Sequence, residues 1–300
     1  MVLSFAAGRN FAADRLYATL EKAFGVAPAA YFNGFWVNGV VLVEGEGRNT
    51  KLPGLIDASA ELQKQTPNTI VATDQWPFLY LTEKSIPGPI LATAGLFLLG
   101  TWLILRKTHR LAWKSSPWHL HFFCLGAGFL LLETKAVTEL SLLFGSTWLV
   151  NSLVIASFLL MALLSNVLAS LLHISEKACY RLLFFLLLLL LVDFRFPYWL
   201  LNSASPGARF LIGGMWTALP VFFSGLVFSS NLKKFGRPAE VLGINLFGAV
   251  IGGILENMVM IGGTPVLGAL AIFLYSASAM ALWRASQSSK TYAVAAAVSS

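Results

Sequence analysis

The chain has 300 residues, 57% of them hydrophobic and 12% charged, with a formal net charge of +7. Mean hydropathy is +0.72. Soluble domains carry roughly 25% charged residues, so the composition excludes an ordinary soluble globule and indicates a mainly α, polytopic membrane protein.

Residues 1–86 read as a small α/β domain with a modest core. The start, MVLSFAAGRN, lacks the basic n-region and long apolar core of a signal peptide, and VLSFA predicts a short strand. NFAADRLYATLEKAFG sets Phe11, Leu16, Leu20 and Phe24 at helical spacing before Gly25, which predicts an amphipathic helix with a glycine stop. AAYFNGFWVNGVVLVEG holds two β-rich runs around Asn-Gly turn signals and predicts a hairpin. Gly45 and Gly47 in VVLVEGEGRNT resemble the start of a glycine phosphate loop. The third glycine is missing, and too little chain follows to build a βαβαβ half, so the phrase reads as a hairpin strand entering a loop. GLIDASAELQK predicts a short helix, and IVATDQWPFLYL a last strand and a turn toward the membrane. Asp74 before Trp76 and Pro77 suits turn initiation. Trp76, Phe78 and Tyr80 suit an aromatic belt at the membrane edge.

From residue 87 the composition changes, and residues 87–300 read as a transmembrane helical domain. Each span takes ~20 apolar residues, which predicts seven, over 88–105, 119–145, 148–172, 181–200, 208–230, 239–261 and 265–284. The second is the least apolar and suits a partly re-entrant segment; the fourth, RLLFFLLLLLLVDF, suits a lipid-facing helix. Residues 1–86 hold seven Lys/Arg against eight Asp/Glu, and the rest holds fourteen against six. The basic excess therefore lies beside the spans, where it signals orientation and contact with membrane lipids. It gives no clustered basic face on a soluble domain, so nucleic acid is not expected as a partner. Arg106, Lys107, Arg110, Lys114, Lys177, Arg181, Lys233, Lys234, Arg237, Arg284 and Lys290 fall on one side, and Lys84, Arg195 and Arg209 on the other. The charge rule puts the C-terminus in the cytoplasm and, with seven spans, residues 1–86 outside. Cys124 and Cys179, far apart in or beside apolar spans, form no disulfide framework and read as small buried residues.

The second span contains Glu133, Lys135 and Glu139. A charge at mid-bilayer costs ~3 kcal/mol or more, so such groups face the bundle interior. Lys135 and Glu139 are four apart and can pair, while Glu133 points roughly 200° away from Lys135 and needs another partner. The sixth span offers one: Asn245 and Glu256 lie on one face, beside a stripe formed by Gly248, Gly252 and Gly253 that suits close helix approach. Asn151, Ser152, Ser165 and Asn166 on the third span add hydrogen-bonding groups. Two readings stay open: helix–helix contacts of ~0.6 kcal/mol each, or a buried site for an ion, a proton or a polar substrate. His119 and His121 lack the i, i+4 spacing of a helical zinc pair and read as interfacial anchors; His109 and His173 stand alone in loops. Asp193 and Arg195, at a span's end, can snorkel or pair there. No Ser/His/Asp or Cys/His nucleophile set is evident.

Four phrases together, ATDQWPFLYL (72–81), GAGFLLLETKAVTELSLLFGSTWLVNS (126–152), ALPVFFSGLVFS (218–229) and GINLFGAVIGGILEN (243–257), resemble the bacterial membrane-bound spermidine-synthase-like proteins, which join a class I methyltransferase-type fold to polytopic membrane segments. The resemblance implies that residues 1–86 are the last part of the methyltransferase-type domain: a strand, a helix and the closing hairpin. It implies a nucleotide-binding half before residue 1, and a pair of acidic residues where this chain has Asp74 followed by Gln75.

The first function expected is therefore that of the membrane portion of such a protein, not catalytic alone. It would lie in the bacterial inner membrane, with no cofactor or metal of its own, working with a separately encoded catalytic domain or as a homo-oligomer. An alternative is a transporter or channel-like protein whose buried polar site is formed by carboxylates of the second and sixth spans. A third is an intramembrane enzyme using those carboxylates as acid and base.

Overall fold

The structure, a computed structural model, describes residues 1–32, 39–65, 68–108, 116–145, 147–235 and 237–298. The chain divides into two compact units, Met1–Ser85 and Ile86–Ser300.

The first unit runs β1 (Val2–Ala6), α1 (Asn10–Phe24), β2 (Ala29–Phe32), β3 (Gly39–Val43), β4 (Ile56–Asp57) and α2 (Ser59–Gln65). The sheet order is β1-β3-β2-β4, with every neighbouring pair antiparallel. β2 and β3 pair as a hairpin, Ala29 opposite Val43 and Phe32 opposite Val40; residues 33–38, where the turn signals fall, lie outside the described residues. Strand side chains alternate between faces, so Ala30, Val40 and Leu42 meet Ala12, Ala13 and Tyr17 of α1, while Tyr31 and Val43 meet Leu52 and Leu55 on the other face. α1 stops at Gly25, whose φ of +71° is a left-handed conformation and whose N–H bonds the Glu21 carbonyl at 2.9 Å. Its buried face includes Leu20 but not the expected Phe24, which is exposed.

One expectation holds here and one changes. β3 runs into Gly45 (φ +88°) and a single 3-10 turn, Glu46–Asn49, with no α-helix beginning at the glycines; no helix N-terminus is available there for a phosphate. IVATDQWPFLYL is not a strand. It is irregular apart from one bridge between Thr73 and Trp76.

The second unit contains α3 (Gly88–Thr108), α4 (Pro117–Phe144), α5 (Trp148–Leu171), α6 (Glu176–Phe194), α7 (Pro206–Phe235), α8 (Pro238–Leu255), α9 (Val259–Gly262) and α10 (Thr264–Val298), with 3-10 turns at Tyr198–Ser203 and Glu256–Met258. Five helices among the described residues are long and apolar enough to cross a membrane: α4, α5, α7, the run Pro238–Gly262, and Thr264–Gln287 of α10. The expected seven is thereby reduced by two. α3 contributes a shorter apolar stretch, Gly88–Ile104. α6 carries Glu176, Lys177, Arg181 and Asp193 within 19 residues and so falls outside those five by composition, although it runs from one end of the bundle to the other, Cys179 beside Asn231 and Asp193 beside Lys135.

α4 is the centre of the unit and packs against α10, α8, α7 and α5. It is one unbroken helix of 28 residues, not a re-entrant segment. Pro117 fits its first turn, where an N–H would have no helical partner, and Gly145 ends it at a φ of +86°. α6 is not purely lipid-facing either: Cys179, Leu183, Leu186, Leu190 and Asp193 form a buried stripe, while Phe184, Phe185, Leu188 and Leu191 are exposed.

Candidate functional site

Toward the C-terminal end of α4, Lys135 points into the bundle and meets carboxylates from two helices. Its Nζ donates to Glu139 Oε2 at 2.7 Å and to Asp193 Oδ2 of α6 at 2.6 Å. The three side chains are 5%, 15% and 8% exposed. Asp193 Oδ1 accepts from the Tyr198 hydroxyl at 2.6 Å and from Trp216 Nε1 of α7 at 3.0 Å. Phe196 packs on both Tyr198 and Trp216, at 5.1 and 4.9 Å between ring centroids, and Lys135 Nζ lies 5.7 Å from the Tyr198 ring centre. Asp193 thus receives three donors, and one ammonium faces two carboxylates. Chemically this is an ion-pair node that fixes α4, α6 and α7 together, since removing one partner of a buried pair strands the other.

Glu133 and Glu256 belong to a different face. The Thr134 hydroxyl donates to Glu256 Oε2 at 2.6 Å, and Glu133, half-buried, lies close enough to Glu256 for the two carboxylates to repel. The expected partner of Glu133 is therefore its neighbour but not its counter-charge. Nearer the start of α4, Asn245 Nδ2 of α8 donates to the Phe122 carbonyl at 3.0 Å. Such closeness requires glycine. A Cβ on Gly126 would overlap the Asn245 carbonyl, and one on Gly248 the Phe123 carbonyl; at Gly252 it would stand 2.6 Å from the Ala127 oxygen. The expected glycine stripe thus seats α8 on the backbone of α4. Asn151 and Ser152 are exposed and take no part in either cluster. Ser165 bonds the Ala162 carbonyl of its own helix at 2.8 Å, and Asn166 accepts from Ser229 of α7.

A groove of about 330 Å³ between α3 and α8 is lined by Pro89, Thr93 and Phe97 on one side and Gly253, Ile254 and Asn257 on the other, without Glu133, Lys135 or Glu139 among its walls.

At the opposite end of α4, about 21 Å from Lys135 by helix rise, His121 is fully buried and is no interfacial anchor. Asn231 Nδ2 of α7 donates to its Nε2 at 3.0 Å, and its Nδ1 faces the Ser278 hydroxyl of α10 at 2.8 Å. Cys179 of α6 contacts Asn231 Oδ1 at 3.8 Å. With Nε2 accepting, the ring is a neutral Nδ1–H tautomer. His119 pairs with Glu240 of α8 at 2.8 Å. The starts of α4, α6 and α8 and the end of α7 therefore gather at one end of the unit.

In the first unit, Asp74 is exposed, Trp76 is buried and Pro77 is half-buried. The turn is closed by Thr73, whose hydroxyl accepts from the Trp76 N–H at 3.1 Å, rather than by Asp74. Arg15 and Lys84 lie 5.2 and 5.6 Å from the Trp76 ring centre. Burial alone pulls the Arg15 guanidinium below its ordinary pKa. Asp14 is also buried, and burial together with the nearby Glu61 pushes its carboxyl up. The Gln65 amide, oriented nitrogen toward Asp14, donates to both carboxylate oxygens at 3.1 and 2.8 Å.

Sequence reasoning missed Arg15, Tyr198 and Trp216, misjudged His121, and left the partner of Asp193 open. For Asp193 and His121 a signal existed, an ionisable group in an apolar run; for the others only the fold identifies the partner. Among the described residues, no three His, Cys, Asp or Glu side chains group as metal ligands. Compared with known protein families, curated proteins and solved structures, the chain matches none.

Proposed function

We propose that the chain is a multi-pass integral membrane protein of the bacterial inner membrane, that it corresponds to the membrane portion of a spermidine-synthase-like protein, and that it is not catalytic by itself. The observation that carries the membrane reading is the inside-out polarity of the helical unit. Its ionisable groups Lys135, Glu139 and Asp193 are packed inward on one another, while Leu159, Leu163, Phe184 and Leu246 are more than half exposed. In water that arrangement forfeits the hydrophobic driving force; in lipid it is what the solvent selects.

Support for the spermidine-synthase-like reading comes from the first unit. β1, α1 and the β2–β3 hairpin follow in the order that the resemblance implies, with β3 lying between β1 and β2. The outer edge of β1 pairs with no strand among the described residues, so its backbone groups are open to a further strand from an adenosyl-cofactor-binding half. Such a half, a second copy of the chain and membrane lipids are the partners this reading requires. Calorimetry of the purified chain with S-adenosylmethionine tests it. No heat of binding is expected, and saturable binding overturns the non-catalytic reading.

A transporter-like reading rests on one observation, the juxtaposition of Glu133 with Glu256. It requires Glu133→Gln and Glu256→Gln each to abolish uptake of a labelled polyamine into proteoliposomes; unchanged or absent uptake in the wild-type protein removes it.

A further inference from the structure

Residues 69–87 contain no helix or strand beyond the Thr73–Trp76 bridge, and most of their polar anchoring converges on one side chain of α1. Arg15 Nε donates to the Ile70 carbonyl at 2.7 Å. Nη1 donates to Phe78 at 2.9 Å, to Leu79 at 3.1 Å and to Leu81, and Nη2 to Thr82 at 3.2 Å. The guanidinium lies 5.2 Å from the Trp76 ring centre and 5.8 Å from that of Phe11, within cation–π range. Arg15 is 2% exposed, and among the described residues no carboxylate forms an ion pair with it. A buried arginine normally faces a carboxylate or phosphate; here its counter-groups are the carbonyls of one strap. Phe5 of β1 also packs against Tyr80, at 6.2 Å between ring centroids.

We propose that Arg15 is a latch: it holds residues 70–82 on the first unit as a releasable strap and so sets how much free chain precedes α3. With the strap held, the free segment is residues 83–87, which extend to ~17 Å at about 3.3 Å per residue. With it released, residues 69–87 are free, and the reach grows to ~63 Å. The design suits release as a unit. The strap contributes no strand to the sheet, and the core cluster of Ala12, Ala13, Tyr17, Ala30, Val40 and Leu42 includes no residue of it.

Limited proteolysis of the full chain in detergent micelles, with chymotrypsin and mass mapping of the fragments, tests the latch. In Arg15→Met, cleavage after Phe78 and Tyr80 is expected about tenfold faster than in the wild type, because proteolysis follows the population of the open form. Tyr17 and Tyr31 stay uncut. Arg15→Lys keeps the charge but not the fork; its cleavage falls between the two, and it serves if the methionine variant does not fold. Wild-type cleavage rates in both variants overturn the proposal. So does cleavage at Tyr17 and Tyr31 alongside the strap, which would make Arg15 a general core residue.

Discussion

At Lys135 a single ammonium answers two carboxylates inside the helical unit. Lys135→Met leaves Glu139 and Asp193 facing one another without a cation, a loss of about 3–5 kcal/mol for a buried pair. The expected outcome is a large fall in the melting temperature of the detergent-solubilised protein. Adding Asp193→Asn to that variant should recover part of it, because the second uncompensated charge is gone; a double variant as unstable as the single one contradicts the ion-pair account. Asp14 behaves in the opposite sense to a paired carboxylate. Its folded-state pKa is raised, so the folded protein holds the proton more tightly than the unfolded chain. As pH rises through the folded value the buried charge forms and stability is lost. Asp14→Asn should therefore raise the melting temperature of the first unit at neutral pH and flatten its decline from acid to neutral pH, as read by calorimetry across a pH series. A lower melting temperature at neutral pH contradicts this. The Lys135–Glu139 pair was legible from its four-residue spacing. Asp193, 58 positions from Lys135, was legible only as a charge in an apolar run, because nothing in a linear pattern says which helix will stand opposite.

Between α4 and α8 the contact is backbone on backbone. Gly248→Val places a Cβ against the Phe123 carbonyl and adds two methyl groups to it, so the helices must separate and the Asn245 bond to Phe122 must lengthen. Overpacking of this kind costs about 1–3 kcal/mol. Gly243→Ala, on the same helix with nothing near its Cβ position, should be neutral or slightly stabilising, since alanine is the better helix former. A thermal melt that ranks the two variants the other way contradicts the close-approach account. At this scale much was readable: the glycine stripe of α8, the glycine stop of α1, and the hairpin pattern of β2 and β3. The segment 70–81 was not. Its apolar alternation at Trp76, Phe78 and Tyr80 imitates a strand, but those residues take their order from Arg15, whose position in α1 gave no hint of a buried role. The length of α4 was legible, and its continuity was hidden by the same charges that make it the centre of the bundle.

For the molecule as a whole, the two ends of the helical unit differ in charge. The end that gathers His119, His121, Asn231 and Glu240 also carries Lys177, Arg181, Lys233, Lys234 and Arg237 on the same helix termini. Arg195 and Arg209 flank the Tyr198–Ser203 turn beside the Lys135 cluster at the other end. By the preference of short basic loops for the cytoplasm, we propose that the first end is cytoplasmic. Three single-cysteine substitutions, treated in intact bacteria and after lysis with a membrane-impermeant maleimide, test the embedding and the orientation together. His173→Cys lies in the turn between α5 and α6, Asn202→Cys in the turn before α7, and Leu159→Cys at the middle of α5, where the side chain is 65% exposed. Position 202 should label in intact cells, position 173 only after lysis, and position 159 in neither. Labelling at 173 but not 202 in intact cells would reverse the orientation, and labelling at 159 would contradict the central claim by showing that the exposed apolar face meets water rather than lipid.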